Sequence, residues 1–343
     1  MAIRQSNIEL LRGIAIFMII AVHADYWLLG APTHTDFIEN LSSSFWRIFW
    51  ACVTVVGVNI FVLISGWFGI RPSIKSFSSF IFQIAFFLIG IFIIGVVLGL
   101  TQFSFKSLAS CFLFTSGNWF IKSYIGLYIL APVLNMFIDK ASKKQYFTTI
   151  MLFYLFQTIY GWSNSALFVE QGYSTFSFIG LYLLARYVRI YVIDELKFKG
   201  TSLFIISTAV NIILSLISIY LGIDGLCYYF ISYANPLVIL GALGLVITFA
   251  KWSLGYNKFI NLLGRSSFAV YLFPCWFIFD FIYRELIMNV YISTSGFVCF
   301  SRIFMILACT FFVAIGVDQI RILVWNYIWN RLSPHIHFKK IQF

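Results

Sequence analysis

The sequence predicts an all-α, polytopic integral membrane protein of about ten transmembrane helices. Three observations carry that prediction. Of the 343 residues, 61% are hydrophobic and 10% charged, whereas soluble domains carry roughly 25% charged residues. Apolar stretches of about twenty residues, enough to span a bilayer as a helix, recur from one end to the other. The basic residues also gather on alternate connections, as the positive-inside rule requires.

The spans run 8–30, 45–67, 78–100, 119–138, 145–163, 175–193, 202–221, 230–250, 264–287 and 302–328. The last exceeds what a span needs and is expected to tilt or to extend into the cytoplasm. Place the N-terminus, with Arg4 and Arg12, in the cytoplasm. The even connections then hold Arg71 and Lys75; Lys140, Lys143 and Lys144; Arg186, Arg189, Lys197 and Lys199; and Lys251, Lys258 and Arg265. Arg331, Lys339 and Lys340 follow in the tail, so seventeen of the 23 basic residues face one side. Arg47, Lys106, Lys122, Arg284 and Arg302 fall near the other side, and Arg321 lies within the last span. Both termini are therefore expected in the cytoplasm, which requires an even number of spans. The chain reads as one membrane domain, 1–343, with no soluble extracytoplasmic domain.

A net charge of +11 would suggest nucleic acid in a soluble protein. Here cytoplasmic anchoring accounts for it, so the expected partner is the lipid bilayer and not nucleic acid. The N-terminal run lacks a small-residue cleavage site and is interrupted by His23 and Asp25, so it reads as a retained helix. Cys52, Cys111, Cys227, Cys275, Cys299 and Cys309 form no CxxC pair and read as small buried hydrophobes. A Cys227–Cys299 bridge between outer loops stays open. Ten Trp and 19 Tyr residues suit interfacial belts, and 41 Phe residues suit helix packing and lipid-facing surface. Gly95 with Gly99 and Gly241 with Gly244 read as close helix contacts. Segment 104–118 is too short and polar to span, and reads as interfacial or re-entrant.

The first span carries the chemistry. It opens with Glu9 and Arg12, runs ten residues without charge, and then places His23 inside the bilayer. At about 100° per residue, His23 returns to within ~20° of Arg12 and lies ~16 Å further along the axis. Glu9 falls within ~40° of His23. An ionisable residue inside a membrane helix is costly and marks a functional site by default. Histidine suits a general base near neutrality, and arginine suits charge stabilisation or phosphate recognition. The alternative is a histidine hydrogen-bonded to a neighbouring helix, with Arg12 marking the interface. Arg71 and Lys75 arrive on Arg12's side. A polyanionic cytosolic donor such as an acyl-coenzyme A would use all three cations, although positive-inside anchoring also explains Lys75 and serves Arg71 equally well.

At these stretches a family becomes visible. Glu9-Leu-Leu-Arg12-Gly-Ile followed by His23 resembles the N-terminal signature of the membrane acyltransferase family 3. Asn59-Ile-Phe-Val-Leu-Ile-Ser65-Gly66-Trp-Phe is similar to that family's "FFVISGF" element, and Arg71 matches the basic residue after it. Trp119, Tyr124, Tyr128 and Pro132 follow its fourth-helix pattern, and Leu263-Gly264-Arg-Ser-Ser267-Phe-Ala-Val-Tyr271-Leu272 resembles its "LGxxSYGIYLxH". The likeness covers almost the whole chain, nearest to bacterial members that O-acylate capsules, exopolysaccharides or O-antigens.

The resemblance implies a ten-helix enzyme of the bacterial cytoplasmic membrane. It would move an acyl group, commonly acetyl, from coenzyme A to a sugar hydroxyl, with His23 and Arg12 as essential residues. Pro274 stands where many members have a histidine. The mechanism expected is that Arg12, Arg71 and Lys75 hold the phosphates of acetyl-coenzyme A while its thioester arm extends up the helix-one face. His23 then deprotonates the acceptor hydroxyl of a glycan or lipid-linked saccharide. Transient acylation of His23 is the other route. Glu9 would pair with or orient Arg12, and Trp119 and Tyr124 are candidates to stack on a pyranose, unless they belong to the aromatic belt. Asp25, two steps from His23, is on roughly the opposite face. Asp318 and Arg321 read as an i,i+3 ion pair, and Asp280 and Glu285 flank Arg284. No metal site is expected, His335 and His337 included. A transporter or flippase for a lipid-linked glycan or small anion is the alternative class, disfavoured because no repeat or paired broken helices are visible.

Overall fold

The computed structural model describes residues 5–113, 119–164, 166–274 and 277–333. The readings at Arg4, Asn118, Cys275, His335, His337, Lys339 and Lys340 lie outside them. The described residues contain no strand. In chain order the helices are α1 Ser6–Ala24, α2 Tyr26–Leu29, α3 His34–Glu39, α4 Leu41–Thr54, α5 Gly57–Phe68, α6 Ile74–Val97, α7 Phe105–Leu113, α8 Trp119–Lys140 and α9 Lys143–Phe156. A π-turn, Gln157–Trp162, extends α9. There follow α10 Thr175–Tyr191, α11 Gly200–Tyr220, α12 Asp224–Phe230, α13 Pro236–Lys251, α14 Lys258–Leu272, α15 Phe277–Ser293 and α16 Gly296–Leu332.

Among the described residues, six stretches are long and apolar enough to cross a membrane: Ser6–Leu29, Leu41–Phe68, Ile74–Val97, Trp119–Lys140, Gly200–Tyr220 and Gly296–Leu332. They coincide with six of the ten expected spans. The other four fall on α9 with its π-turn, on the 17-residue α10, on the 16-residue α13, and on α14 with α15. Helix α13 starts only at Pro236 because the backbone at 231–235 is not helical. That segment is buried, and asparagines satisfy its polar groups. Asn59 Nδ2 donates to the Tyr233 carbonyl at 3.0 Å, and Asn235 Nδ2 donates to Asn211 Oδ1 at 2.8 Å and the Phe230 carbonyl at 2.7 Å. Buried irregular backbone needs this kind of satisfaction.

The chain divides into two compact units, Met1–Ile70 with Trp119–Arg265 and Arg71–Asn118 with Ser266–Phe343. In the first, α5 is packed by α1, α10 and α13. Small residues set these distances. A Cβ on Gly66 would lie 2.7 Å from Tyr182 Cα, and one on Gly244 would lie 2.6 Å from the Gly200 carbonyl, so α5–α10 and α13–α11 approach at backbone range. The Gly95–Gly99 reading needs correction, because Gly99 lies beyond the end of α6 with φ +68° and open space around it. Its N–H reaches the Val96 carbonyl while Leu100 N–H reaches that of Gly95, so Gly99 is the left-handed residue that ends the helix.

In the second unit, Asp318 and Arg321 form the expected i,i+3 pair, closing to 2.7 Å with 0% and 6% side-chain exposure. Gln83 Nε2 on α6 donates to the same carboxylate at 3.0 Å. Arg284 pairs with Asp280 at 3.0 Å on α15. Helix α7 has nine described residues, and positions 114–118 of segment 104–118 lie outside the described ones. Cys227 and Cys299 are both buried free thiols, so the bridge left open is not formed.

Candidate active site on the first helix

The N-terminal end of α1 is fixed by polar contacts within the first unit. Asn7 Nδ2 donates to the Phe249 carbonyl at 2.7 Å and the Trp252 carbonyl at 3.0 Å, which caps the end of α13. Ser6 Oγ donates to Asn261 Oδ1 at 3.2 Å and accepts from Asn257 N at 2.9 Å. One turn on, Arg12 Nη1 sits 3.0 Å from both oxygens of Glu9, so the two residues pair as expected. The carboxylate also lies in the first helical turn, where the dipole favours it. Gly264 of α14 faces it: a Cβ there would meet Glu9 Oε2, with Glu9 Cβ at 2.6 Å and the Glu9 carbonyl at 2.7 Å. The glycine of the Leu263-Gly264 motif is thus required by the seat of Glu9.

His23 is half-buried, with Nδ1 2.6 Å from the Ile19 carbonyl one turn below. A carbonyl oxygen only accepts, so Nδ1 carries the hydrogen and Nε2 is the basic nitrogen of the neutral ring. Two residues on, α1 breaks at Asp25 (φ −125°, ψ −79°). The Asp25 carboxylate, with 6% side-chain exposure, pairs with Arg47 at 3.5 Å, and the Asp25 carbonyl takes the N–H groups of Leu28 and Leu29. Two misfits of the sequence, an acid in an apolar run and an arginine on the outer side, therefore explain each other.

The stripe joining Arg12 to His23 is not open along its length. A Cβ on Gly57 of α5 would lie 2.6 Å from the Ala15 carbonyl and 3.0 Å from Ile19 Cγ1. Ile19 is only ~20° from Arg12 around the helix, so α5 lies on the stripe itself. This corrects the expectation that a donor arm extends straight up that face. Gly13 stands ~100° from Arg12, on the flank that also carries Glu9. It is buried, yet a Cβ built on it would meet nothing within 4 Å.

Tyr124 and Ser65, from separate motifs, share a hydrogen bond of 3.0 Å, and the Arg12 guanidinium acts electrostatically on the tyrosine. Trp119 stands in a ring cluster, 4.4 Å from Tyr173 and stacked at 5.6 Å on Tyr233, while Trp27 meets Tyr173 at 6.0 Å. Tyr233 covers one face of the Trp119 indole, leaving at most the other for a sugar. Arg71 and Lys75 belong to the second unit, where both are exposed and Lys75 Nζ lies 5.5 Å over the Trp329 ring. Sequence reasoning missed the Ser65–Tyr124 pairing, the Asp25–Arg47 pair, and the Tyr173–Tyr233 shelf. Only the second had a signal, its double misfit.

Residues 5–318 match a family model described as an acyltransferase domain, the acyltransferase family 3 model. No curated protein and no solved structure matches the chain.

Proposed function

The chain belongs to the acyltransferase family that residues 5–318 match, and on that premise we propose that it moves an acyl group, acetyl as first choice, from a cytosolic acyl-coenzyme A to a hydroxyl of a cell-surface or lipid-linked glycan. In this reading about ten helices cross the bacterial cytoplasmic membrane, with both termini in the cytoplasm. The observation that carries the reaction is His23, whose Nδ1–H is held by the Ile19 carbonyl so that Nε2 is the proton acceptor. The acceptor hydroxyl gives its proton to Nε2 as its oxygen bonds the thioester carbonyl carbon. Collapse of the tetrahedral intermediate breaks the carbon–sulfur bond, and the leaving thiolate takes the proton back from Nε2, regenerating the neutral ring. The Ile19 carbonyl steadies the transient imidazolium.

Arg12, held by Glu9, binds the donor's phosphate end. The acyl arm reaches His23 along the flank that Gly13 faces, which the open space there supports. Trp119 and Tyr124 help to seat the saccharide side. The test is release of free thiol from acetyl-coenzyme A by purified protein, paired with mass analysis of surface glycan. His23→Ala is expected to lower turnover by about 10²–10⁴-fold, the usual worth of a positioned general base. Arg12→Ala is expected to raise the KM for donor. A His23→Ala variant that is fully active would overturn the mechanism.

A further inference from the structure

At the C-terminal end of α5 two arginines from α10 converge on one carbonyl. Arg186 Nη1 donates to the Trp67 carbonyl at 3.3 Å and lies 3.5 Å from that of Phe68, while Arg189 Nη1 donates to the same Trp67 oxygen. The two charges feel each other, and neither guanidinium is in an ion pair among the described residues. Arg189 is further held over the rings of Trp67 at 6.0 Å and Phe68 at 5.3 Å. The Arg186 Nε is buried and has no hydrogen-bond partner among the described residues.

Capping of α5 explains only part of this arrangement. A helix C-terminus offers about half a negative charge, and two guanidiniums bring two full positive ones. The connection beside them is rigid. Tyr182 Oη accepts from Ile70 N at 3.0 Å and donates to Asn135 Oδ1 at 2.6 Å, while Asn135 Nδ2 donates to the Ile70 carbonyl at 2.9 Å. Gly69, with φ +78°, brings its backbone beside the Arg186 guanidinium, which a Cβ would meet at 3.6 Å.

We infer that Arg186 and Arg189 form an anion site for the phosphate-bearing end of the donor, with the fork of Arg186 supplying Nε to a phosphate oxygen. The inference rests on the proposed coenzyme A donor and gives two cations a task beyond anchoring and capping. In the unsubstituted protein in detergent, coenzyme A is expected to protect Arg186 and Arg189 from phenylglyoxal, as read by peptide mass analysis, and inorganic pyrophosphate to do so more weakly. Arg186→Gln and Arg189→Gln should each weaken coenzyme A binding about tenfold or more, with Arg186→Lys and Arg189→Lys intermediate. If coenzyme A binds while both arginines are modified at an undiminished rate, this site is wrong and the donor reading stands. If coenzyme A does not bind at all, the donor reading itself falls. Protection by phosphatidylglycerol nanodiscs that coenzyme A cannot displace would assign the pair to lipid headgroups and overturn the inference. The protection arm needs no variant, so a misfolded substitution leaves the test intact.

Discussion

Replacing Gly264 by alanine tests the seat of Glu9 most directly. The added Cβ would overlap Glu9 Oε2 and approach Glu9 Cβ to 2.6 Å and the Glu9 carbonyl to 2.7 Å. Side-chain rotation relieves only the first contact, so α1 and α14 must part. Overpacking of this kind costs about 1–3 kcal/mol. Displacing the carboxylate also loosens a pair whose Arg12 side is 23% exposed, so its loss adds less than the 3–5 kcal/mol of a fully buried charge. A total near 2–4 kcal/mol corresponds to a fall in Tm of several degrees in a chain this size. The buried thiols of Cys52 and Cys227 allow a melt in detergent followed by a thiol-reactive fluorophore. Donor KM should rise in the same variant. Glu9→Ala removes the Oε2 contact but neither of the other two, so the double variant should recover part of the stability and none of the donor binding. Gly264→Ala with unchanged Tm and unchanged KM would refute the packing of α14 on α1, and with it the reason given for this glycine.

Two further outcomes follow from local geometry. Gly13→Ala should be active and more stable by about 1 kcal/mol, since it removes a helix-interior glycine without a clash, whereas Gly13→Leu should fold and yet lose donor turnover; a fully active Gly13→Leu would move the arm to another route. At the start of α3, outside the spans, Thr33 N donates to Asp36 Oδ2 at 2.8 Å and Thr33 Oγ1 does so at 2.9 Å, which holds the Asp36 carboxyl below the usual range. A depressed carboxyl stabilises above its unfolded pKa and stops doing so as pH falls through its folded one, so the window lies below about pH 4. The protection of the amides over 34–39, taken relative to intrinsic exchange at each pH, should fall about two- to fivefold from pH 5 to pH 3, and Asp36→Asn should abolish that pH dependence.

What the sequence made legible follows from what it encodes locally. Apolar length identified the six longest spans because a twenty-residue stretch needs no partner to be read. Pairs three residues apart, Glu9–Arg12 and Asp318–Arg321, were readable because helix geometry alone brings them together. Contacts between distant segments were not. Nothing in the run around Asn59 announces that its amide will hold the Tyr233 carbonyl, so the late start of α13 at Pro236 was invisible. Arg186 and Arg189 illustrate the same limit, since a rule that sorts cations by side assigns them an anchoring role before any acceptor is known.

The first helix shows how a correct periodicity can still mislead about a path. Arg12 and His23 do share a stripe, but a stripe on an isolated helix is also the natural docking line for a neighbour. Gly57 is the residue that lets α5 take that line, since any Cβ there would strike the Ala15 backbone. A group travelling between the two ends must therefore pass beside α5, and α1 has one buried position, Gly13, where a side chain is missing and no neighbour fills the gap. Glu9 and Gly13 occupy that same flank, one turn apart, so the residue that pairs with Arg12 also borders this gap. Arg12 thereby stands where the phosphate end of a donor and the start of its arm would meet. The ten residues between Arg12 and His23 then measure the rise of the helix and leave room for a bypass, which their angular coincidence alone does not require.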